Sequence, residues 1–165
     1  MKSIIIPESV TSLSEYSFSH CYSIESIILN SKINMLNTKV FNSCTSLVKI
    51  SLPDSLINIM YNVFEYCTSL ESITILTSVE SISSEVFANC SSLQSIIIPK
   101  KVKSFSSKLF INCYILTNCT ILGSPMIIEE NSFSNCIKLE YVLIPSCVKE
   151  IRYNVFENCI SLKTI

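Results

Sequence analysis

Apolar residues along this chain return to the same places every 23 positions. Phenylalanine marks the period most clearly, at Phe18, Phe41, Phe64, Phe87, Phe110, Phe133 and Phe156, and a cysteine follows three residues later each time, from Cys21 and Cys44 to Cys159. Three positions further on stands Ile24, Leu47, Leu70, Leu93, Leu116, Leu139 or Leu162. Two more columns begin with Ile27 and Leu29, a fifth with Val10 and a sixth with Leu13, each recurring at the same spacing. Seven phased copies without an insertion define an internal repeat, and a period of this length reads as a solenoid.

Each unit has its own local grammar. The segment L-x-x-I-x-I alternates apolar and variable residues with period two, which predicts a strand with one buried face. Proline often follows, at Pro7, Pro53, Pro99 and Pro145, and ends the strand because it has no N–H to donate. The stretch S-V-x-x-I predicts a second short extended or turn segment. The stretch V-F-x-x-C-x-x-L spaces its apolar residues by three and predicts a 3₁₀ or one-turn helical piece. One such unit cannot bury its own apolar side, so successive coils stack and share a core. The expectation is therefore an α/β-type repeat solenoid, right-handed, β-rich with short 3₁₀ and turn segments, and with a parallel sheet on one face. It occupies residues 1–165 as a single array, read as a piece of a longer one. The sixth repeat is the irregular one, where Cys119 replaces the central Ile, Gly123 is the only glycine and Pro125 interrupts its column.

Composition narrows the function. Twelve basic and thirteen acidic residues leave a net charge of −1, with no Lys/Arg cluster to track a nucleic-acid backbone. Apolar content is 48%, yet runs such as Ile4–Ile6 and Ile96–Ile98 are far too short to insert into a membrane. The opening residues show no secretory signal, and a single glycine rules out a glycine-rich phosphate loop.

Candidate chemistry is sparse. Seven of the nine cysteines share one repeat phase, which places them in a buried row as small, reduced hydrophobes. A straight row does not converge on a metal. Cys147 is unphased, lies in a connecting turn and is the candidate exposed thiol. His20, the only histidine, occupies a column otherwise filled by Ser43, Tyr66 and four asparagines, a polar turn and not half of a Cys–His dyad. Glu25, Glu71 and Glu140 likewise share a phase and read as an exposed column. No catalytic residue and no cofactor is assigned.

The pattern I-x-I-P-x-S-V-x-x-I-x-x-x-V-F-x-N-C-x-S-L-x-x-I, nearly intact from Ile73 to Ile96, resembles the BspA-like subclass of leucine-rich repeats, whose members include surface antigens of bacteria and parasitic protists. The family often carries Gly after the S-V-x-x-I column and Ala before the Phe. This chain departs at both, for instance at Asn37 and Met60 and at Val40 and Val63.

The resemblance implies a non-enzymatic binding or adhesion module at a cell surface. Its ligand would be a protein or glycan, not nucleic acid, and the uncapped ends would suit stacking on neighbouring repeats. The alternative is a structural spacer within a long surface array. By resemblance the strand face is the partner site. Alternation along the strand points Ile28, Ser51, Thr74, Ile97, Thr120 and Leu143 outward, together with Tyr141 from the flanking column. One charge, Lys49, among these two columns is fewer than a plain solvated face would carry.

Overall fold

The computed structural model describes residues 2–30 and 32–165 and contains eleven short strands among them. They are β1 (Ser3–Ile6), β2 (Ser26–Leu29), β3 (Met35–Leu36), β4 (Lys49–Ser51), β5 (Asn58–Ile59), β6 (Ser81–Ile82), β7 (Ser95–Ile98), β8 (Asn118–Ile121), β9 (Ile127–Ile128), β10 (Tyr141–Leu143) and β11 (Glu150–Ile151). All pairings are parallel and offset by one repeat, as in Ile4↔Ile27↔Ile50 and Ile96↔Cys119↔Val142. Six turns of the 23-residue period carry the chain from Ser3 to Tyr141. The molecule is a parallel-strand solenoid.

Each coil has three sides. The L-x-x-I-x-I segments form the principal strand face, in two sheets ordered β1-β2-β4 and β7-β8-β10. The S-V-x-x-I segments form a second, narrower face, with sheets β3-β5-β6 and β9-β11. The third side is all turns. Inward residues of the three sides fill one continuous core, and the inner members of the Phe and Cys columns are fully enclosed (Phe41 to Phe133, Cys44 to Cys136). The end members Phe18, Phe156, Cys21 and Cys159 are only partly covered.

The expected helical content is corrected here: the described residues contain no helix, so neither the α/β label nor a 3₁₀ segment applies. The turn side does close i→i+3 hydrogen bonds, such as Val40 N–H to Asn37 O and Cys44 N–H to Phe41 O. However, two residues per coil sit at φ near +60°, as at Lys39 and Ser43, Asn62 and Tyr66, Glu85 and Asn89. A left-handed residue at the third position of a turn is the type II geometry and stops a right-handed helix from propagating. Of the fourteen positive-φ residues, seven are asparagine, the side chain that tolerates this region best after glycine.

These alternating turns create a ladder of their own. In each coil three N–H groups donate to carbonyls of the next coil, as Lys39 to Tyr61, Phe41 to Val63 and Ser43 to Glu65. Next to it, Phe18 to Phe156 stack in one column with ring centroids 5.5–5.8 Å apart. Phe105, which replaces an aliphatic residue of the second face, tilts against Phe110 and Phe133 at 6.0 and 5.3 Å. On the outer side an asparagine ladder runs Asn158→Asn135→Asn112→Asn89, each amide N–H to amide O at 2.8 Å.

The irregular sixth repeat is a local fit. β8 is intact through Cys119, and the chain beyond it is held by Ser124 N–H to Val102 O at 3.2 Å. A Cβ on Gly123 would lie 2.0 Å from that same carbonyl oxygen. Glycine is there because the backbones approach too closely for any side chain. The interruption falls instead on 72–75, where the sequence follows the consensus closely but no strand pairing forms. Pro99 has no N–H to donate to the Ile75 carbonyl, which removes one rung between this stretch and β7.

Candidate functional site

The strand face presents its variable positions as expected. Ile97, Leu143 and Tyr141 are 58%, 60% and 47% exposed, Ile28 is 37% exposed, Ser51 and Thr74 are exposed and Thr120 is half-buried. Parallel in-register pairing places like positions side by side, so Ile97, Thr120 and Leu143 form one row and Ile28 and Ser51 another. Ile5 is the Cα partner of Ile28 and is equally outward-facing. Its phase, 23 residues before Ile28, was the signal that would have added it to the candidates.

The structure thus divides the candidate residues into two apolar clusters. Ile5 and Ile28 lie on the first sheet, while Ile97, Tyr141 and Leu143 lie on the second. Ser51 and Thr74 occupy the stretch between them. The Tyr141 ring has the Lys163 ammonium 5.9 Å from its centroid, and Lys163 is itself paired to Glu140 at 2.9 Å. At the other end Lys2 pairs with Glu25 at 3.0 Å. The glutamate column therefore runs along the entrance edge of the strand face and leaves the row of variable residues uncharged apart from Lys49.

The phased cysteines have a definite structural role. Each thiol from Cys44 onward donates to the carbonyl of the Phe 26 residues earlier: Cys44 to Phe18, Cys67 to Phe41, Cys90 to Phe64, Cys113 to Phe87, Cys136 to Phe110 and Cys159 to Phe133, all at 3.1–3.2 Å. That carbonyl already accepts the N–H of the Cys in its own coil, so the S–H occupies its second lone pair. Cysteine suits the site because it is small and apolar yet carries one weak donor. Donation requires the protonated thiol, and burial holds it so. Cys44 is pushed up to about 12 by burial and by the neighbouring Cys21, and Cys159 up to about 11 by burial. Cys67, Cys90, Cys113, Cys119 and Cys136 are shifted upward by burial as well. All nine cysteines are unpaired, and Cys147 lies outside the row, half-buried, with its Sγ 3.4 Å from Pro125 O.

Elsewhere, His20 is exposed and within 3.0 Å of the Tyr22 hydroxyl, not of Cys21. On the turn side Glu65 accepts from Asn42 and Asn62, and Asn62 also donates to Glu85. Burial, then the charge of Glu85, raises the Glu65 carboxyl above its ordinary range. A shallow groove of about 580 Å³ opens on the second face between Ser84, Ser104, Phe105 and Met126. Sequence reading had no signal for it, because it arises from how two coils sit against each other. Among the described residues no helix is long and apolar enough to cross a membrane.

The same architecture is found in solved structures. A leucine-rich repeat protein of T. pallidum is 27% identical and superposes with a TM-score of 0.91 over 98% of this chain and 78% of its own. One from Bacteroides ovatus is also 27% identical, with a TM-score of 0.79 over 99% of this chain and 48% of its own. The pneumococcal vaccine antigen PcpA, at 22% identity and a TM-score of 0.65, shares the fold over 99% of this chain and 40% of its own. This chain thus spans less than half of two of these three proteins. No curated protein matches it. The model of the BspA type leucine rich repeat region matches residues 1–117 and 57–165, with six copies, and so takes in the whole sequence. With the 23-residue period, the buried Phe and Cys columns and the parallel strand face in place, this chain belongs to the BspA-type leucine-rich repeat family.

Proposed function

We propose that this chain is a non-enzymatic binding module of a surface-displayed leucine-rich repeat protein, and that it takes a protein partner on the strand face. The observation that carries the reading is the exposed, in-register group Ile97, Leu143 and Tyr141 on one sheet. Isolated apolar residues on a surface are ordinary, whereas an aromatic and two branched aliphatics within three consecutive rungs of one sheet form the kind of anchor that dominates interface energetics. Branched aliphatic groups favour a protein over a glycan. The relatives agree with display: one matched structure is of a leucine rich cell surface protein and another of a vaccine antigen.

The test is a panel of immobilised extracellular proteins and glycans, probed with the full chain and with Ile97→Lys, Tyr141→Ser and Leu143→Lys. Loss of an anchor removes about 2 kcal/mol or more, roughly a 30-fold weaker Kd, while Ile160→Ser on the turn side leaves affinity unchanged. A glycan hit would replace the partner class. Binding indifferent to all three strand-face changes, or no binding at all, would favour the spacer reading.

A further inference from the structure

The three sides of the solenoid are not equally continuous. On the turn side the ladder runs unbroken through the middle of the molecule: Asn62, Phe64 and Tyr66 donate to the next coil, and Glu85, Phe87 and Asn89 to the one after, at 2.8–3.2 Å. The Phe stack passes through the same coils without a gap, at 5.7 and 5.5 Å either side of Phe87.

The other two sides both open there. On the strand face residues 72–75 pair with neither β4 nor β7, so the face divides into two sheets. The rungs at the entrance to that face stretch at the same place. They measure 2.8 Å at Glu25–Lys2 and 2.9 Å at Val48–Glu25, then 3.4 Å at Glu71–Val48 and 3.2 Å at Gln94–Glu71, before returning to 2.9 Å at Thr117–Gln94. On the second face β6 has no strand partner on its far side. Glu80 N–H and Lys149 N–H each make their rung to the coil before, at 2.8 Å, but Lys103 N–H makes none to Glu80. Where Ser83 N–H bonds Ile59 O, the corresponding Ile82 carbonyl takes only the Ser106 hydroxyl, at 2.7 Å. The groove beside Phe105 lies one coil on, lined mainly by residues 103–107 and 126–130, and reaches this gap only at Ser84. What spans it is side chain: Ser106 to Ile82, Ser107 to Ser84, and the exposed Lys101–Glu80 pair at 3.0 Å.

Parallel rungs resist shear and splaying because each backbone bond is short, repeated and cooperative with its neighbours. Remove them on two sides of three and keep them on the third, and the remaining ladder becomes the axis of a bend. We infer that the solenoid is hinged between the coils that contain Ser72–Ile82 and Ser95–Phe105, with the Phe stack and turn ladder as the pin. Bending about this pin opens or closes the strand face. It changes the angle between the two apolar clusters, Ile5–Ile28 and Ile97–Tyr141–Leu143, without disturbing the packing within either half.

The experiment measures residual dipolar couplings on the full chain in a dilute aligning medium, fitted separately for amides 2–70 and 107–165. Hinge motion gives the two segments unequal alignment magnitudes. The inequality grows in Ser106→Ala and in Lys101→Ala, which remove links across the gap. Lys108→Ala breaks the ion pair to Glu85 on the turn side and leaves the inequality at the wild-type value. A single alignment tensor that fits both segments, in the wild type and in Ser106→Ala alike, would overturn the hinge. So would an increase in Lys108→Ala equal to that in the gap variants.

Discussion

Truncating Phe87 tests the packing most directly. Its ring is fully enclosed and stacked between Phe64 at 5.7 Å and Phe110 at 5.5 Å, with interplanar angles of 9° and 5°. Phe87→Ala removes the transfer free energy of a buried benzyl group and leaves a cavity that its neighbours cannot fill. They are pinned by their own turn ladders on either side, so the site collapses little. Such changes cost about 3–5 kcal/mol in well-packed cores. Two stacked contacts, each contributing about 0.5–1.5 kcal/mol beyond area burial, place this site toward the upper end. For a domain of this size each kcal/mol lowers Tm by about 2–4 °C, so a fall of roughly 8–20 °C is expected. Phe18→Ala is the internal standard: the same residue at the end of the stack, half-covered and with one neighbour, is expected to lose about half as much. His20→Ala, on an exposed turn, changes stability by under about 0.5 kcal/mol. Calorimetry and urea melts of the three variants decide the matter. Equal losses at Phe87 and Phe18, or a Phe87→Ala midpoint close to that of His20→Ala, would refute the stacked-column reasoning.

Alkaline pH is expected to destabilise the fold, because buried thiols whose folded pKa lies above the unfolded value of 9.0 hold protons that the unfolded chain releases. Stability stays level up to about pH 8 and falls above pH 9, each of the six fully enclosed thiols contributing about 1.4 kcal/mol per pH unit. Urea midpoints from pH 7 to 10.5 check it, and the slope is shallower in Cys90→Ala/Cys113→Ala. Thiol labelling of the native protein modifies Cys147 before Cys67, Cys90 or Cys113, and peptide mapping that found the reverse order would mean the row is open to solvent. Gly123→Ala forces the chain away from Val102 O and is expected to lower stability by about 1–3 kcal/mol, read as a Tm shift. An unshifted melt would mean that the close approach does not hold in solution.

The amino-acid sequence by itself determined the period, the solenoid, the parallel strand face and which residues face inward. Those properties follow from side-chain alternation and from the need of each coil to cover its apolar side, and 23-residue phasing displays both directly. It also placed Ile97, Tyr141 and Leu143 outward, because a strand leaves its alternate positions no other side. The turn side was misread as helical because spacing by three is shared by a 3₁₀ turn and a string of type II turns. The residues that decide between them, such as Lys39, Tyr66 and Glu85 at positive φ, carry no glycine signal. Only the tertiary structure revealed that Cys90 donates to Phe64 O, that Gly123 answers to Val102 O, and that the sheet fails at Ser72–Ile75 in the repeat nearest the consensus. Each of these depends on the distance between two coils. That spacing is set jointly by the side chains packed between them, so it is not written in either repeat alone.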